Sequence, residues 1–265
     1  MAEKLPRSSL WIVTTSRFPV AGQRRGARAA RVRDLLREQI LTKRYDTAML
    51  PSEHELMLEY VTSRSQIREA LDMLRDEGFI ERRQGTGTIV TSSKVRHHFD
   101  RVHGIGGSLR RPPAVRSELV SVERVPAPAP VAEVLGLLPG TGCAYVDFRT
   151  HIDGVPFNTN SSYLPESMAD VLSPGTFDGD FYQYLESHGV TVTAGELLVE
   201  AVNADALTAA ALGVVCGAAV MLFRRVLLTT GDVPIEFGFV RCRADRLALV
   251  AKLPRLKQES IWLAS

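Results

Sequence analysis

The spacing of apolar and polar residues in the first third of the chain predicts two short helices followed by a hairpin. Leu56 and Tyr60 have helical spacing in the first helix, and Ser52 with Glu55 forms the pattern of a capping box at its start. Ser63 then caps a second helix. Its apolar residues recur with the period of an amphipathic helix: Ile67, Ala70, Leu71 and Leu74.

Glycines mark the end of this second helix and the turn of the hairpin. Gly78 follows the last apolar residue at a position suited to positive φ. Residues 79–80 then begin a strand, residues 84–87 make a turn, and residues 88–90 return. Two helices followed by such a hairpin form a winged helix-turn-helix, which places its second helix in the DNA major groove.

Polar side chains crowd the first turns of the second helix. A helix N-terminus favours phosphate through its free N–H groups and dipole, and Arg and Gln match guanine and adenine edges. An ordinary solvated helix face would explain the arginines alone, but the cap and the glycine-tipped wing favour DNA binding. The crowded positions are Ser63, Arg64, Ser65, Gln66 and Arg68.

This part of the chain resembles the DNA-binding domain of the GntR family of bacterial transcription regulators. The similar segments are residues 50–53, 63–64, 67–71, 78–80 and 82–88. The resemblance implies that Arg64 and Arg68 contact operator bases or phosphates and that the tip of the wing enters the minor groove. The DNA contacts it implies are Ser52, His54, Ser63, Arg64, Ser65, Gln66, Arg68, Arg83, Gly85, Thr86 and Gly87.

Two residues depart from the pattern of that family. His54 stands where members often have arginine, so a phosphate contact there is weaker or pH-dependent. Thr62 stands where a small apolar residue is usual, and we therefore expect looser packing in the turn between the helices.

The segments around this domain are predicted to support it or to connect it to a second one. A helix over residues 26–41 precedes it, with a buried side made of Ala30, Val32, Leu35, Leu36 and Ile40. Residues 94–98 are predicted to be a linker. The nearby His97, His98 and His103 suggest a metal site, but no helix spacing of the HExxH kind accompanies them, so a linker or loop is the favoured interpretation and no metal is predicted.

The remainder of the chain has the pattern of an α+β domain with an antiparallel sheet and flanking helices. Strands are predicted over residues 116–125, 144–152, 158–163, 191–202, 220–229 and 235–243. Helices are predicted over residues 131–137, 165–172, 180–188 and 204–212. Two hairpins about 80 residues apart, one turning at Asp153–Gly154 and one at Gly231–Asp232, each follow a helix that ends in Leu-Gly, which indicates an internal pseudo-repeat.

This pattern resembles the UTRA domain, the effector-sensing domain of the HutC-type branch of the GntR family. The similarity rests on Phe99, Ala132, Leu135–Gly136, Asp153–Gly154, Pro156, residues 162–165, Arg225 and residues 234–236. It implies a fold like that of chorismate lyase over residues 99–260 and a ligand between the two hairpins. The effector contacts it implies are Ser108, Phe148, Thr150, Asn160, Ser162, Arg225, Glu236 and Cys242.

Departures from the UTRA pattern bear on the ligand. Phosphosugar-sensing relatives have two basic residues at the positions of Phe148 and Thr150, whereas this chain has Arg149 between them, on the opposite face of the strand. Asn160 replaces a common Glu, and Cys242 replaces a frequent aromatic residue. Because two bidentate phosphate contacts are absent, we expect a ligand less anionic than a sugar phosphate, either aromatic or apolar, or amino-acid-like.

Length and composition agree with two domains of an ordinary globular protein. The 265 residues carry a net charge of only +2, but residues 1–25 hold five basic residues against one acidic one and are predicted to be a flexible tail ahead of a DNA-binding domain over residues 26–93. Three dispersed cysteines suit a reducing cytoplasm. No apolar run is long enough for a membrane span, and no cofactor motif is present.

The function predicted from these features is that of a regulator, most often a repressor, which binds a palindromic operator in double-stranded DNA as a homodimer and responds to a small molecule. One alternative is a lyase-like enzyme using Arg225 and Glu236, although no nucleophile arrangement accompanies them. Another is a non-specific DNA binder. A fused aminotransferase is excluded because too few residues remain for it.

Overall fold

The computed structural model describes residues 23–42, 44–45, 49–91, 94–108 and 115–254. The described residues form two compact units, and the division between them follows Thr91. The predicted tail lies largely outside the described residues. None of the described helices is long and apolar enough to cross a membrane.

The N-terminal unit contains three helices followed by a two-stranded wing. Its elements are α1 (Gln23–Leu41), α2 (Glu53–Glu59), α3 (Arg64–Asp76), β1 (Ile80–Arg83) and β2 (Gly87–Val90). The two strands pair antiparallel. The helix α1 begins three residues earlier than predicted, and apolar residues from all three helices and the start of the wing form one core.

Local capping explains where α2 and α3 begin. The Ser52 backbone N–H donates to Glu55 Oε2 at 2.7 Å, and the Glu55 backbone N–H donates to Ser52 Oγ at 3.3 Å, which completes the predicted capping box. Ser63 and Gln66 form a second box at the start of α3. Gly78 follows α3 with a φ of 73°, as predicted.

The buried side of α1 differs in part from the predicted one. Ala29, Val32, Leu36 and Ile40 are buried, whereas Leu35 is 55% exposed. These four buried residues are three or four positions apart and therefore share one face of a helix, the face that packs on α3. Leu35 lies off this face, so its prediction as a buried residue was wrong.

The C-terminal unit is built on a seven-stranded antiparallel sheet within its described residues. The strands of the whole unit include two, β3 and β11, that lie outside this sheet. In chain order they are β3 (Val95–His98), β4 (Val115–Pro126), β5 (Gly142–Ile152), β6 (Val155–Pro165), β7 (Gly175–Asp178), β8 (Ala194–Asn203), β9 (Ala219–Thr229), β10 (Val233–Arg243) and β11 (Leu247–Val250). Its helices are α4 (Ala129–Leu135), α5 (Met168–Val171), α6 (Phe181–Ser187) and α7 (Ala206–Leu212). The order in the sheet is β7-β4-β5-β6-β10-β9-β8.

The predicted pseudo-repeat is visible in this sheet. The order β4-α4-β5-β6 is followed by β8-α7-β9-β10, and the two hairpins meet where β6 pairs with β10. Gly136 and Gly213 cap α4 and α7 with φ values of 66° and 63°. The turn residues Asp153 and Asp232 both have positive φ, a conformation that Asp tolerates better than most residues.

Residues 94–98 are not only a linker, which corrects the sequence-based prediction. Within them, β3 pairs parallel with β11, so that Val95 lies beside Leu247 and His98 beside Val250. Val95 and Leu247 are both buried. The strands β3, β7 and β11 were not predicted, because four residues each are too few to give a clear hydrophobic period. The helix predicted over residues 165–172 is shorter in the structure, where it is α5.

Candidate functional site

The predicted DNA contacts lie on the exposed surface of α2, α3 and the wing. All of them are exposed except Gln66, which is half-buried. Gly85 and Gly87 have φ values of 76° and 111° at the tip of the wing, where residues with a Cβ atom would be strained. The prediction that these residues contact DNA remains a prediction, but their exposure allows it.

Gln66 has a structural role at the start of α3. Its Oε1 atom accepts hydrogen bonds from the Thr62 hydroxyl and, at 3.4 Å, from the Ser63 backbone N–H. The turn expected to be loose at Thr62 is therefore fastened by this side chain. Ser63 Oγ also lies 3.0 Å from Ser65 Oγ. The polar atoms at this helix end are held in place before any partner arrives.

Two arginines of α3 converge on one acidic residue that the predicted set of contacts did not include. Glu53 Oε2 accepts from Arg64 Nε at 3.1 Å and from Arg68 Nε at 2.9 Å. Arg82 Nη2 on the wing lies 3.6 Å from Glu53 Oε1. Partial burial opposes ionisation, but the hydrogen bonds from Arg68 and Arg64 outweigh it and lower the pKa of the Glu53 carboxyl.

A cavity of about 620 Å³, including its open mouth, lies in the C-terminal unit. Four of the predicted effector contacts line it, namely Phe148, Thr150, Arg225 and Cys242. Arg149 is exposed on the opposite face of β5, as predicted. The cavity is lined by His97, His103, Ile105, Phe148, Thr150, Phe157, Asn158, Asp180, Phe181, Tyr182, Leu197, Phe223, Arg225, Val240, Cys242 and Leu247.

Three of the other predicted contacts form a buried network behind Arg225. The guanidinium donates to Glu236 Oε2 through Nε at 2.7 Å, and its Nη2 donates to Oε1. Ser162 Oγ lies 2.5 Å from Glu236 Oε1 and 2.9 Å from Asn160 Oδ1. A Cβ atom at Gly238 would meet Ser162 Oγ at 2.3 Å, so a side chain there would collide with this network.

The remaining predicted effector contact, Ser108, lies beside a cavity residue and not in the cavity wall. His97 Nδ1 is 2.8 Å from Ser108 Oγ, and the rings of His97 and His103 are 4.5 Å apart. Burial and the neighbouring His103 lower the pKa of His97 to about 4, so His97 is neutral near pH 7. Among the described residues, no group of His, Cys, Asp and Glu side chains could hold a metal ion.

The charged side chains Arg225 and Asp180 of the cavity already form hydrogen bonds with other protein groups. Burial opposes the charge on Arg225, but Glu236 and Tyr182 outweigh it and raise the pKa of the guanidinium. Asp180 Oδ1 accepts from the backbone N–H of Tyr182 at 3.1 Å, and its Oδ2 accepts from that of Gly106 at 3.1 Å. Burial raises the pKa of Cys242 to about 12, so its thiol is neutral.

One polar atom of the cavity residues is without a partner. Asn158 Oδ1 is buried and forms no hydrogen bond with any described residue. A buried amide oxygen without a donor is unfavourable, and an unpaired group in a cavity wall indicates where a ligand or water can bind. The sequence did not identify Asn158, His97 and Tyr182 as cavity residues, because their common environment arises only when distant strands and α6 meet.

Each of the two units matches a known protein family. Residues 28–90 match the family described as bacterial regulatory proteins, gntR family, and residues 111–248, about half of the chain, match the UTRA domain. The crystal structure of PhnF from Mycobacterium smegmatis is similar, with a TM-score of 0.59 and 23% identity over 85% of this chain and 100% of that one. The predicted fold of a winged helix-turn-helix joined to an α+β effector domain is therefore confirmed.

Curated relatives cover most of the chain. An uncharacterized HTH-type transcriptional regulator of Rhizobium meliloti is 29% identical over 82% of this chain and 91% of its own length. A probable fructoselysine utilization operon transcriptional repressor of Escherichia coli is 27% identical over 83% of this chain and 92% of its own. The protein belongs to the GntR family of DNA-binding transcription regulators, a non-enzymatic class, and carries a UTRA effector-binding domain.

Proposed function

We propose that the protein represses transcription in the cytoplasm by binding a palindromic operator as a homodimer and that an effector in the cavity of the C-terminal unit releases it. Relatives named as repressors support this mode of action. Two winged helices match two symmetric half-sites only in a two-fold assembly. The effector acts because its affinity differs between the dimer arrangement that binds the operator and the arrangement that does not.

The pairing of Arg225 with Glu236 is the observation on which the proposed class of effector rests. Arg225 is the basic side chain with a fixed positive charge among the cavity residues, and Glu236 already occupies two of its donors. A phosphate ester would lie near this carboxylate with few other charged donors, at a large desolvation cost. We therefore propose an effector without a phosphate group.

The other cavity residues suggest the remaining features of this effector. Four phenylalanines line the cavity, which favours an aromatic or apolar part in the ligand. Asn158 Oδ1 is the unpaired acceptor, and a ligand N–H or O–H group would satisfy it. The proposed ligand is thus a small molecule with an apolar body and at least one hydrogen-bond donor.

A thermal-shift screen tests this proposal because a ligand of the native state raises its melting temperature. Phosphorylated sugars, the same sugars without phosphate, aromatic metabolites and amino acids are compared at equal concentration. We expect the melting temperature to rise with a member of the phosphate-free sets and the same compound to dissociate an operator duplex selected from random DNA. A response confined to phosphate esters would contradict the proposal.

Variants then locate the binding site of the hit. Asn158→Leu removes the unpaired acceptor and should weaken binding by about tenfold or more, as expected when a ligand donor loses its partner. Thr159→Val is the matched control because the neighbouring residue on a strand points to the opposite face. Equal affinity of both variants and the parent protein would place the ligand elsewhere.

A further inference from the structure

Glu53 lies at the centre of the basic residues on the DNA-binding surface. It is the first residue of α2, its side chain is 23% exposed, and it contacts arginines from two other elements, α3 and β1. The arginine side chains Arg64 and Arg68 are 67% and 57% exposed. They are thus tethered at one end and open to a partner on the other side.

The geometry of these contacts limits the directions of the arginines. Arg68 donates through Nε to both Glu53 oxygens, at 3.0 and 2.9 Å, while Arg64 donates through Nε to Oε2 at 3.1 Å. Use of Nε orients each planar guanidinium, because the donors of this group have a fixed fork geometry. Among the described residues, the hydrogen bonds of these two arginines to Glu53 use Nε only, which leaves their Nη atoms directed to a partner, and those atoms are suited to a base edge.

Glu53 also changes the electrostatic attraction of this surface to DNA. The carboxylate offsets one of the three positive charges around it. Non-specific affinity depends on the number of phosphates that the protein neutralises. One negative charge under the arginines therefore weakens attraction to any duplex.

We propose that Glu53 is a specificity-determining positioning residue for operator recognition. It holds the guanidinium groups of Arg64 and Arg68 in the orientation for base contacts, and it lowers affinity for unrelated DNA by offsetting their charge. Specificity is a difference between two affinities, and a residue that opposes the wrong partner increases it. A merely structural ion pair would instead affect binding to all duplexes equally.

The test compares full-length variants by fluorescence anisotropy on a selected operator and a scrambled duplex over a range of salt concentrations. Glu53→Gln should raise affinity for scrambled DNA, steepen its salt dependence by about one unit of log–log slope, and lower the ratio of operator to scrambled affinity by about tenfold. Glu55→Gln is the matched control. It removes a charge from the same helix and keeps a side-chain oxygen that can accept from the Ser52 backbone N–H, so it should leave the ratio nearly unchanged.

A second variant separates orientation from charge. Glu53→Asp keeps the negative charge but shortens the side chain, so the ratio should fall because operator affinity falls, without a gain on scrambled DNA. A ratio that is unchanged in both Glu53 variants, or lowered as much by Glu55→Gln, would overturn the proposal. Melting temperatures measured in parallel identify any variant that is unfolded at the assay temperature. If Glu53→Gln is unfolded, the ratio of affinities measured for Glu53→Asp tests the proposal by itself.

Discussion

Arg225 and Glu236 form a two-point hydrogen-bonded ion pair in which the side chains are 8% and 0% exposed. The pair joins neighbouring strands, β9 and β10, and one of its members lines the cavity. Because the carboxylate is fully buried and also contacts Ser162, removal of either charge leaves the other without compensation. The pair is therefore a fixed part of the wall and not a free anion-binding group.

Replacement of Glu236 should destabilise the protein strongly. Glu236→Gln leaves the buried Arg225 charge unpaired, and the free energy of unfolding should fall by about 3–5 kcal/mol. Denaturant titration measures this loss. Glu196→Gln is the control, because the Arg224–Glu196 pair joins the adjacent strands but Glu196 is 70% exposed; its loss should stay below about 1 kcal/mol. Similar losses in both variants would contradict the assigned burial.

His97 should make stability depend on pH in a defined window. Its pKa is lowered to about 4 by burial and by His103, whereas in the unfolded chain it is about 6.5. The unfolded state therefore binds more protons between these values, and stability is complete above pH 6.5 and is lost as pH falls toward 4. His97→Gln should remove roughly 2–3 kcal/mol of this loss in denaturant titrations at several pH values. His188→Gln, which replaces an exposed histidine, is the matched control, and an equal change of the profile in both variants would contradict the role given to His97.

Val61 should be a site where a smaller residue stabilises the protein. It has a φ of 47° in the turn between α2 and α3 and is 91% exposed. A β-branched residue is strained in this region, and no buried contact is lost on its removal. Val61→Gly should raise the free energy of unfolding by about 0.5–1 kcal/mol, since relief of strain exceeds the added entropy of the unfolded chain. Val61→Ala keeps the Cβ atom and should give little gain, and denaturant titration of both variants measures the difference.

Arg64 should contribute to discrimination more than to general affinity. It lies exposed in the first turn of α3, with its guanidinium held by Glu53. Arg64→Ala should lower operator discrimination by about 1–3 kcal/mol, measured as the ratio of affinities for selected and scrambled duplexes. Arg75→Ala, at the other end of α3 and paired with Asp72, serves as the control. Unchanged selectivity in the Arg64 variant would exclude it from base recognition.

Local features of the sequence determined much of the fold. The capping pairs, the glycine after α3 and the hairpin turns depend on residues a few positions apart, and their chemistry is visible without the fold. Alternation along β5 likewise placed Phe148 and Thr150 on the buried face and Arg149 on the exposed one. The family resemblance then extended these local features to two domains.

Tertiary structure alone decided the contacts between distant residues. Glu53 meets Arg68 from 15 positions away, and β3 pairs with β11 about 150 residues later, distances over which no sequence period acts. The cavity combines His97, Asn158 and Tyr182 from three separate elements. Burial changes the chemistry of such groups, because low solvent access makes a histidine neutral and leaves an amide oxygen without a partner. The residue types were present in the sequence, but their environment arose only when the sheet and helices packed.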